Sequence, residues 1–327
     1  MTGTCILFDA SNVLHRSYHA DAARQEGGLT APDGTPTGAL LGWYRTLLRF
    51  REVYQPELMV AVFDGGVQQA RYDACPDYKA NRTKKYPGLP EQMEDAYQST
   101  PLFGIPSIKM PQTEADDIIG AIAKKWGGER VYIVSDDKDL GQCVNEKVHQ
   151  IKSPKNGDWR ICGVKEVEDH FGVSCSQVAA FLAITGDSSD NIPGLPKVGP
   201  VTAVKWLKKF GDIESLIKNA DSVEPTRFSK VITENADSLR KYLTVTTLHE
   251  VNCEVPRPIA PNHAQLSEYL SKRGLKSIAA RFDYLESRQQ QAGAQISAPP
   301  EPAVSPLAGG NPAPAPTMET FTQGVLF

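Results

Sequence analysis

Val131-Tyr-Ile-Val-Ser-Asp-Asp137 runs from apolar and aromatic residues into a serine and two acids, and the same shape occurs in Cys5-Ile-Leu-Phe-Asp9 and Met59-Val-Ala-Val-Phe-Asp64. Continuous apolar runs of this length predict strands buried on both faces, the condition of a parallel sheet covered by helices. Between the first and second acidic strands, Ala39 to Tyr54 carries Leu40, Trp43, Tyr44, Leu47 and Leu48 at helical spacing and stops ahead of Pro56. Strand, helix, strand predicts a βαβ unit and an α/β fold with a central, mostly parallel sheet flanked by helices. In open sheets of this kind ligands bind at the carboxyl ends of strands, where all three runs place an acid.

Further acids recur between apolar runs, giving nine in all: Asp9, Asp64, Glu114, Asp116, Asp117, Asp137, Asp139, Asp187 and Asp190. A single Asp at a strand end is most often a turn or helix cap. Carboxylates gathered at one sheet edge instead repel and raise one another's pKa unless hard cations such as Mg²⁺ or Mn²⁺ neutralise them, so the set points to metal. Thr113 is predicted to cap a helix with apolar face Ala115, Ile118, Ile119, Ile122 and Trp126. On that helix Glu114 and Asp117 lie about 60° apart while Asp116 points elsewhere, so the three acids need not share one ion.

At 327 residues, 40% of them hydrophobic, the chain can bury a substantial core, and one large domain with an appendage or two is expected. It contains no apolar stretch of about 18 residues and no signal-peptide pattern at Met1-Thr-Gly-Thr-Cys-Ile, which predicts a cytoplasmic protein without membrane contact. The six cysteines form no C-x-x-C pair and read as reduced thiols. A net charge of −4 argues at face value against a nucleic-acid partner, but its distribution does not. Arg71, Lys79, Arg82, Lys84 and Lys85 form one basic segment, and Lys197, Lys205, Lys208 and Lys209 another. Residues 65–90 are too polar for a core element and read as a partly helical lid or arch over the sheet edge, although a run such as Lys79 to Lys85 is by itself most often a solvated face. His15, Tyr18 and His19 follow the first acid and read as packing residues.

Ser176 to Thr185 reads as a short helix, Gly186-Asp-Ser-Ser-Asp-Asn-Ile-Pro-Gly194 as an acidic turn, and Gly194-Leu-Pro-Lys-Val-Gly199 as a hairpin before a helix opened by Pro200. Helix, glycine hairpin and helix present backbone N–H groups to a phosphate, helped by the helix dipole and by Lys205, Lys208 and Lys209. No base-reading pattern accompanies it, so a grip on the DNA backbone without sequence preference is expected.

Phe8-Asp9-Ala-Ser-Asn, Phe63-Asp64, Tyr78-Lys79-Ala-Asn-Arg82, Glu114-Ala-Asp116-Asp117-Ile-Ile-Gly, Asp137-Lys-Asp139 and Gly186-Asp187-Ser-Ser-Asp190-Asn-Ile-Pro-Gly194 resemble, in order, the motifs of the 5′ nuclease family. That family includes flap endonucleases, phage 5′-exonucleases and the N-terminal domain of bacterial DNA polymerase I. The resemblance runs from about residue 4 to about 288; with no polymerase domain following, a free-standing bacterial or phage 5′→3′ exonuclease is expected. It implies a PIN-like core at 1–175 with a helical arch at about 65–90. A helical region at 176–288 follows, with a helix-hairpin-helix at about 176–210. It implies a monomer acting on 5′ ends, flaps or nicks in DNA with two Mg²⁺ or Mn²⁺ ions, and leaves room for K⁺ at the hairpin.

By the same resemblance Asp9, Asp64, Glu114 and Asp116 surround one ion, and Asp117, Asp137, Asp139, Asp187 and Asp190 lie nearer a second. Lys79 and Arg82, with Arg71 and Tyr78 beside them, take catalytic positions. Arg16, Lys84, Lys85, Gly194, Lys197, Gly199, Thr202 and Lys205 take DNA-binding ones. Asp136 and Lys197 depart from the family pattern, each standing where glycine is usual. From residue 289 the sequence turns Pro- and Ala-rich, predicting a disordered tail at 289–327. It ends in Gln323-Gly-Val-Leu-Phe327, similar to the peptide by which bacterial replication and repair proteins dock on the β sliding clamp; Gln323, Leu326 and Phe327 are the residues that carry the likeness. Two other readings stay open: a PIN-type ribonuclease, which needs neither arch nor hairpin, and a scaffold that binds DNA and clamp without catalysis.

Overall fold

A computed structural model describes residues 3–23, 28–155 and 158–297. Strands β1 (Thr4–Asp9), β2 (Leu58–Phe63), β3 (Ser107–Lys109), β4 (Arg130–Val134) and β5 (Val148–Lys155) are parallel, and β6 (Asp158–Cys162) runs antiparallel to β5. Their order is β3-β2-β1-β4-β5-β6. The connection reverses direction between β1 and β4, and a crevice opens at such a switch point beyond the strand ends. Phe8 pairs with Val134 and Asp9 with Val62, so the acids that follow the three central strands emerge at one edge.

Alternation along the strands explains why their sequences are apolar throughout. Ile6, Phe8, Met59, Ala61 and Phe63 face one side, against α1 (Ala10–Ala22) and α2 (Gly38–Tyr54). Cys5, Leu7, Leu58, Val60 and Val62 face the other, against Ala115, Ile118, Ile119 and Ile122. Trp43 of α2 is fully buried and satisfies its indole N–H on Thr100 Oγ1 at 2.9 Å. After α2, Gln55 takes a left-handed conformation and Pro56 ends the helix as expected.

The segment read as a helical arch holds one short helix, α3 (Gln69–Ala74), and residues 75–88 are turns and extended chain. Pro76, Pro87 and a run of charged residues give that stretch neither helical periodicity nor an apolar face. Next come α4 (Leu89–Ser99) and α5 (Ala115–Lys125). The N-cap of α5 is Glu114 rather than Thr113, whose hydroxyl bonds back to Pro111 O at 3.1 Å.

Beyond the sheet, α6 (Val164–Phe171), α7 (Val178–Thr185), α8 (Pro200–Phe210), α9 (Ile213–Lys218), α10 (Phe228–Glu234) and α11 (Ala236–Thr246) enclose their own core around Val178, Ile184, Trp206, Leu207 and Leu239. Helix α12 (His263–Lys272) adds Leu266 and Leu270 to the first core. Helix α13 spans Lys276–Ser297, so the predicted tail begins later than residue 289. Gln and Ala are good helix formers, and the first proline of that stretch is Pro299. Residues 3–285 lie within one compact unit, and residue 286 begins a second. The peptide 323–327 lies outside the described residues. Among those described, no helix is long and apolar enough to cross a membrane, and all six cysteines are free thiols.

Ile119 bridges α5 to the sheet with no exposure. Ile119→Ala is expected to lower unfolding free energy by about 2–5 kcal/mol in denaturant titrations, whereas Val53→Ala, at a 61% exposed position, should stay within about 0.5 kcal/mol.

Candidate active site

Asp9 ends β1 and caps α1: Oδ1 accepts the Asn12 N–H at 3.0 Å and Oδ2 accepts the Ser135 hydroxyl at 2.7 Å. Ser135 Oγ in turn accepts the Asp137 N–H at 3.0 Å, fastening the β4 loop to β1. The loop's carbonyls are held from β5, where the fully buried Gln150 amide donates to Ser135 O at 2.9 Å and Asp137 O at 2.5 Å. Sequence reading passed over Gln150 and Ser135. A polar residue inside a buried strand was the available signal for Gln150.

The acids crowd one another. Burial, then Asp137 and Asp64, push the Asp9 carboxyl up to about 6 against the pull of its hydrogen bonds. Burial chiefly, with neighbouring carboxylates second, raises Asp116, Asp137 and Asp139; Asp64, just beyond β2, is raised by partial desolvation and by Glu114 against the pull of the Gly66 N–H and Lys79. Asp139, Asp187 and Asp190 converge most closely, with one oxygen from each within 4.8 Å of the others. Asp139 Oδ1 is buried without a hydrogen-bond partner. Three hard oxygen donors with one unsatisfied lone-pair set fit a hard divalent cation. Asp187 is the exception in titration: burial raises it, but Lys138 at 2.7 Å and Ser189 outweigh that and hold it below its usual value.

Four cations hold this charge. Lys138 pairs with Asp187, Lys79 with Glu114, Arg82 with Asp190, and Arg71 with both Glu114 and Asp117. These pairs separate two of the expected roles. Asp117 is fully buried, its oxygens engaged by Arg71 at 2.8 and 2.9 Å, by Gln68 at 3.3 Å and by the His249 N–H at 2.7 Å. It therefore anchors Arg71 through both of its oxygens. Arg71, only 3% exposed, also donates to Thr247 O and cannot reach a substrate; it positions Glu114. Tyr78 is buried too, with its hydroxyl 3.2 Å from Asp190 and 3.3 Å from Glu114. Lys79 and the exposed Arg82 reach the acids from the arch at less buried positions than Arg71.

The arch foot is laced to the acidic turn by Lys79 N–H to Asp190 O at 3.0 Å, Asn81 Nδ2 to Ser188 O at 2.6 Å and Asn191 Nδ2 to Asp77 O at 2.8 Å. Two glycines close that turn. Gly186 and Gly194 have φ of +79° and +70°, and a Cβ on Gly194 would lie 2.3 Å from Gly186 N. Gly194 is buried, so it serves the turn and not a phosphate contact. Lys197 is exposed with φ +62°, a conformation usual for glycine, while Gly199 caps α8 in open space. Lys205, Lys84 and Lys85 are exposed and Thr202 is half-buried. Arg16 lies near the site on α1, paired with Asp136 at 3.3 Å.

Two substitutions separate support from ligation. Asp117→Asn breaks a buried pair and should lower stability by about 3–5 kcal/mol. Asp139→Asn relieves repulsion from Asp137, Asp190 and Asp187 and should raise the melting temperature of chelator-treated protein. Calorimetry in EDTA distinguishes them, and equal destabilisation by both would refute the division.

Residues 4–172 match the 5′-3′ exonuclease N-terminal resolvase-like domain, and residues 173–272 the 5′-3′ exonuclease C-terminal SAM fold. The chain is 31% identical over 295 residues to a 5′-3′ exonuclease of Aquifex aeolicus, covering 88% of this chain and 98% of that protein. It is 28% identical to the thermostable DNA polymerase I of Thermus aquaticus, over 87% of this chain but only 34% of the polymerase. Its fold resembles the metal-bound T5 D15 protein (TM-score 0.63, 18% identity, 87% and 98% coverage) and the DNA-bound catalytic core of Rad2 (0.58, 16%, 83% and 88%). The α/β sheet with its acidic edge and the helical region beyond it thus stand in one known lineage: the chain belongs to the 5′-3′ exonuclease family and is a nuclease.

Proposed function

We propose that this nuclease is a 5′→3′ exonuclease and structure-specific flap endonuclease that hydrolyses DNA phosphodiester bonds during replication and repair, acting as a monomer with two divalent ions. The observation that carries this reading is the convergence of Asp139, Asp187 and Asp190, one with a partnerless buried oxygen, beneath Lys79 and Arg82. Asp137, Asp139, Asp187 and Asp190 would hold one Mg²⁺ or Mn²⁺, and Asp9, Asp64, Glu114 and Asp116 the other. Two such ions, when bound, supply an activated water and charge stabilisation for the leaving oxygen.

The chain's own residues do the rest. Lys79 is fixed at a left-handed corner by its bond to Asp190 O, so its ammonium stays at the acids and can donate to the developing charge of a phosphate. Arg82, more exposed, offers a planar fork to the same phosphate. Arg71 keeps Glu114 turned toward the site. Lys197, the N-terminus of α8 and Lys205 grip the DNA backbone regardless of sequence, with K⁺ at the hairpin as an added phosphate anchor. T5 D15 has been crystallised with metal ions and Rad2 with DNA substrate, which supports the same ligands here. The terminal Gln323-Gly-Val-Leu-Phe327 supports docking on a β sliding clamp, with Leu326 and Phe327 in an apolar pocket and Gln323 hydrogen-bonded.

A 5′-labelled flap DNA should be cleaved with Mg²⁺ and left intact with EDTA, while an RNA hairpin should be a poor substrate. Asp137→Ala should lower cleavage by ~10³-fold or more with DNA binding retained; full activity of that variant would falsify the site. Deleting residues 323–327 should leave oligonucleotide cleavage intact and abolish clamp capture in a pull-down, and unchanged capture would rule the peptide out.

A further inference from the structure

We infer that Asp136 and Trp159 form a cradle that positions Arg16 for a phosphate of the bound strand, Asp136 holding the guanidinium until that phosphate replaces it. Arg16 stands about two helical turns beyond Asp9. Its guanidinium lies 4.8 Å over the Trp159 ring, and Trp159 packs edge-on against the buried Phe50 at 4.9 Å, so the platform is tied to the core. Among the described residues the guanidinium makes one hydrogen bond, from Nη1 to Asp136 Oδ2 at 3.3 Å.

Asp136 is much more firmly held. Its Oδ1 accepts the Ser153 N–H at 2.8 Å, and its own N–H donates to Asn12 Oδ1 at 3.1 Å. The carboxylate is rigid, whereas the arginine is attached to it at a single point and keeps most of its five donors for another acceptor. With side chains 27% and 36% exposed, a one-point pair contributes little and exchanges readily. A phosphate offers the fork-like geometry that the single carboxylate contact lacks. A groove of about 360 Å³ lined in part by Arg16, Arg45, Thr46, Ser153 and Trp159 provides the room, with Arg45 as a second cation. The groove's Asp21 is turned to the Leu29 N–H at 2.8 Å. Asp9 lies within electrostatic reach of Arg16, so the cradle also keeps this cation out of the acidic cluster.

This inference rests on the DNA reading above. The test is a titration of 5′-flap DNA in EDTA by fluorescence anisotropy with the full chain, Asp136→Asn, Arg16→Ala and the double variant, over a range of salt. Asp136→Asn should tighten binding by roughly two- to fivefold, and the gain should vanish in the Arg16→Ala background. Arg16→Ala should reduce the salt slope by about 1, and Asp136→Asn should leave it unchanged. Equal gains in both backgrounds would mean that Asp136 is only a nearby negative charge, and unchanged or weaker binding by Asp136→Asn would also overturn the cradle. If the unaltered protein does not bind flap DNA, the DNA reading falls and this inference with it.

Discussion

Mutual repulsion among half-buried carboxylates at the carboxyl edge of the sheet is the constraint around which the rest of this structure is arranged. Asp9, Asp116, Asp137 and Asp139 are all raised, first by burial and then by one another. Such a cluster weakens a fold unless countercharges are built in, and here they come from three places. Lys138 comes from within the β4 loop, Arg71, Lys79 and Arg82 from the arch, and hydrogen-bond donors such as Ser135, Ser189 and Asn12 from the backbone neighbourhood. The compensation is incomplete at Asp139 Oδ1. A buried carboxylate oxygen left unsatisfied in the protein alone could be satisfied by a cation.

The countercharges are not equivalent. Arg71 is sealed between Glu114 and Asp117 and further tied through Asp117 to His249, so it behaves as part of the interior. Lys79 and Arg82 sit at the rim, each paired with an acid that, on the proposed reading, it would share with an arriving phosphate. A buried pair that loses one partner is costly, whereas a rim pair can exchange partners cheaply. Burial therefore sorts the basic residues into those that hold acids in place and those free to serve the reaction.

Much of the frame was legible because burial on both faces writes itself into sequence. Ile6 and Phe8 face one core and Cys5 and Leu7 the other, leaving no polar position between them. The helix from Gly38 to Tyr54 showed its apolar stripe and its proline stop. What stayed hidden depended on long-range partners. Nothing local marks Asp117 as the anchor of Arg71, because its neighbours Gln68 and His249 lie 49 and 132 residues away. Gln150 and Ser135 matter through hydrogen bonds that cross between strands. Thr113 looked like a cap by residue type, yet Glu114 holds the extended conformation that precedes the helix. Arg71, Lys79 and Arg82 of the segment read as an arch pair with the acids, but its charge and prolines leave it one short helix where family likeness suggested a helical arch.

The lacing between arch and acidic turn joins the segment that carries Lys79 and Arg82 to the one that leads into the hairpin. Residues 77–82 are hydrogen-bonded to 188–191 at five points, and the same turn is closed by the Gly186 and Gly194 contact before it leads into Lys197 and α8. Lys79 and Asn191 both hold left-handed conformations where these strands of chain meet, conformations that non-glycine residues adopt only when their surroundings dictate it. On the proposed reading, a backbone gripped at α8 would bear on the segment that carries Asp187 and Asp190, and through it on Lys79 and Arg82. Gly186 and Gly194 approach so closely where the turn closes that there is no room for a Cβ. Positioning of the phosphate by the hairpin and presentation of acids and bases to it would, on that reading, be coupled through this turn, so that a backbone grip with no sequence preference could still place a single bond.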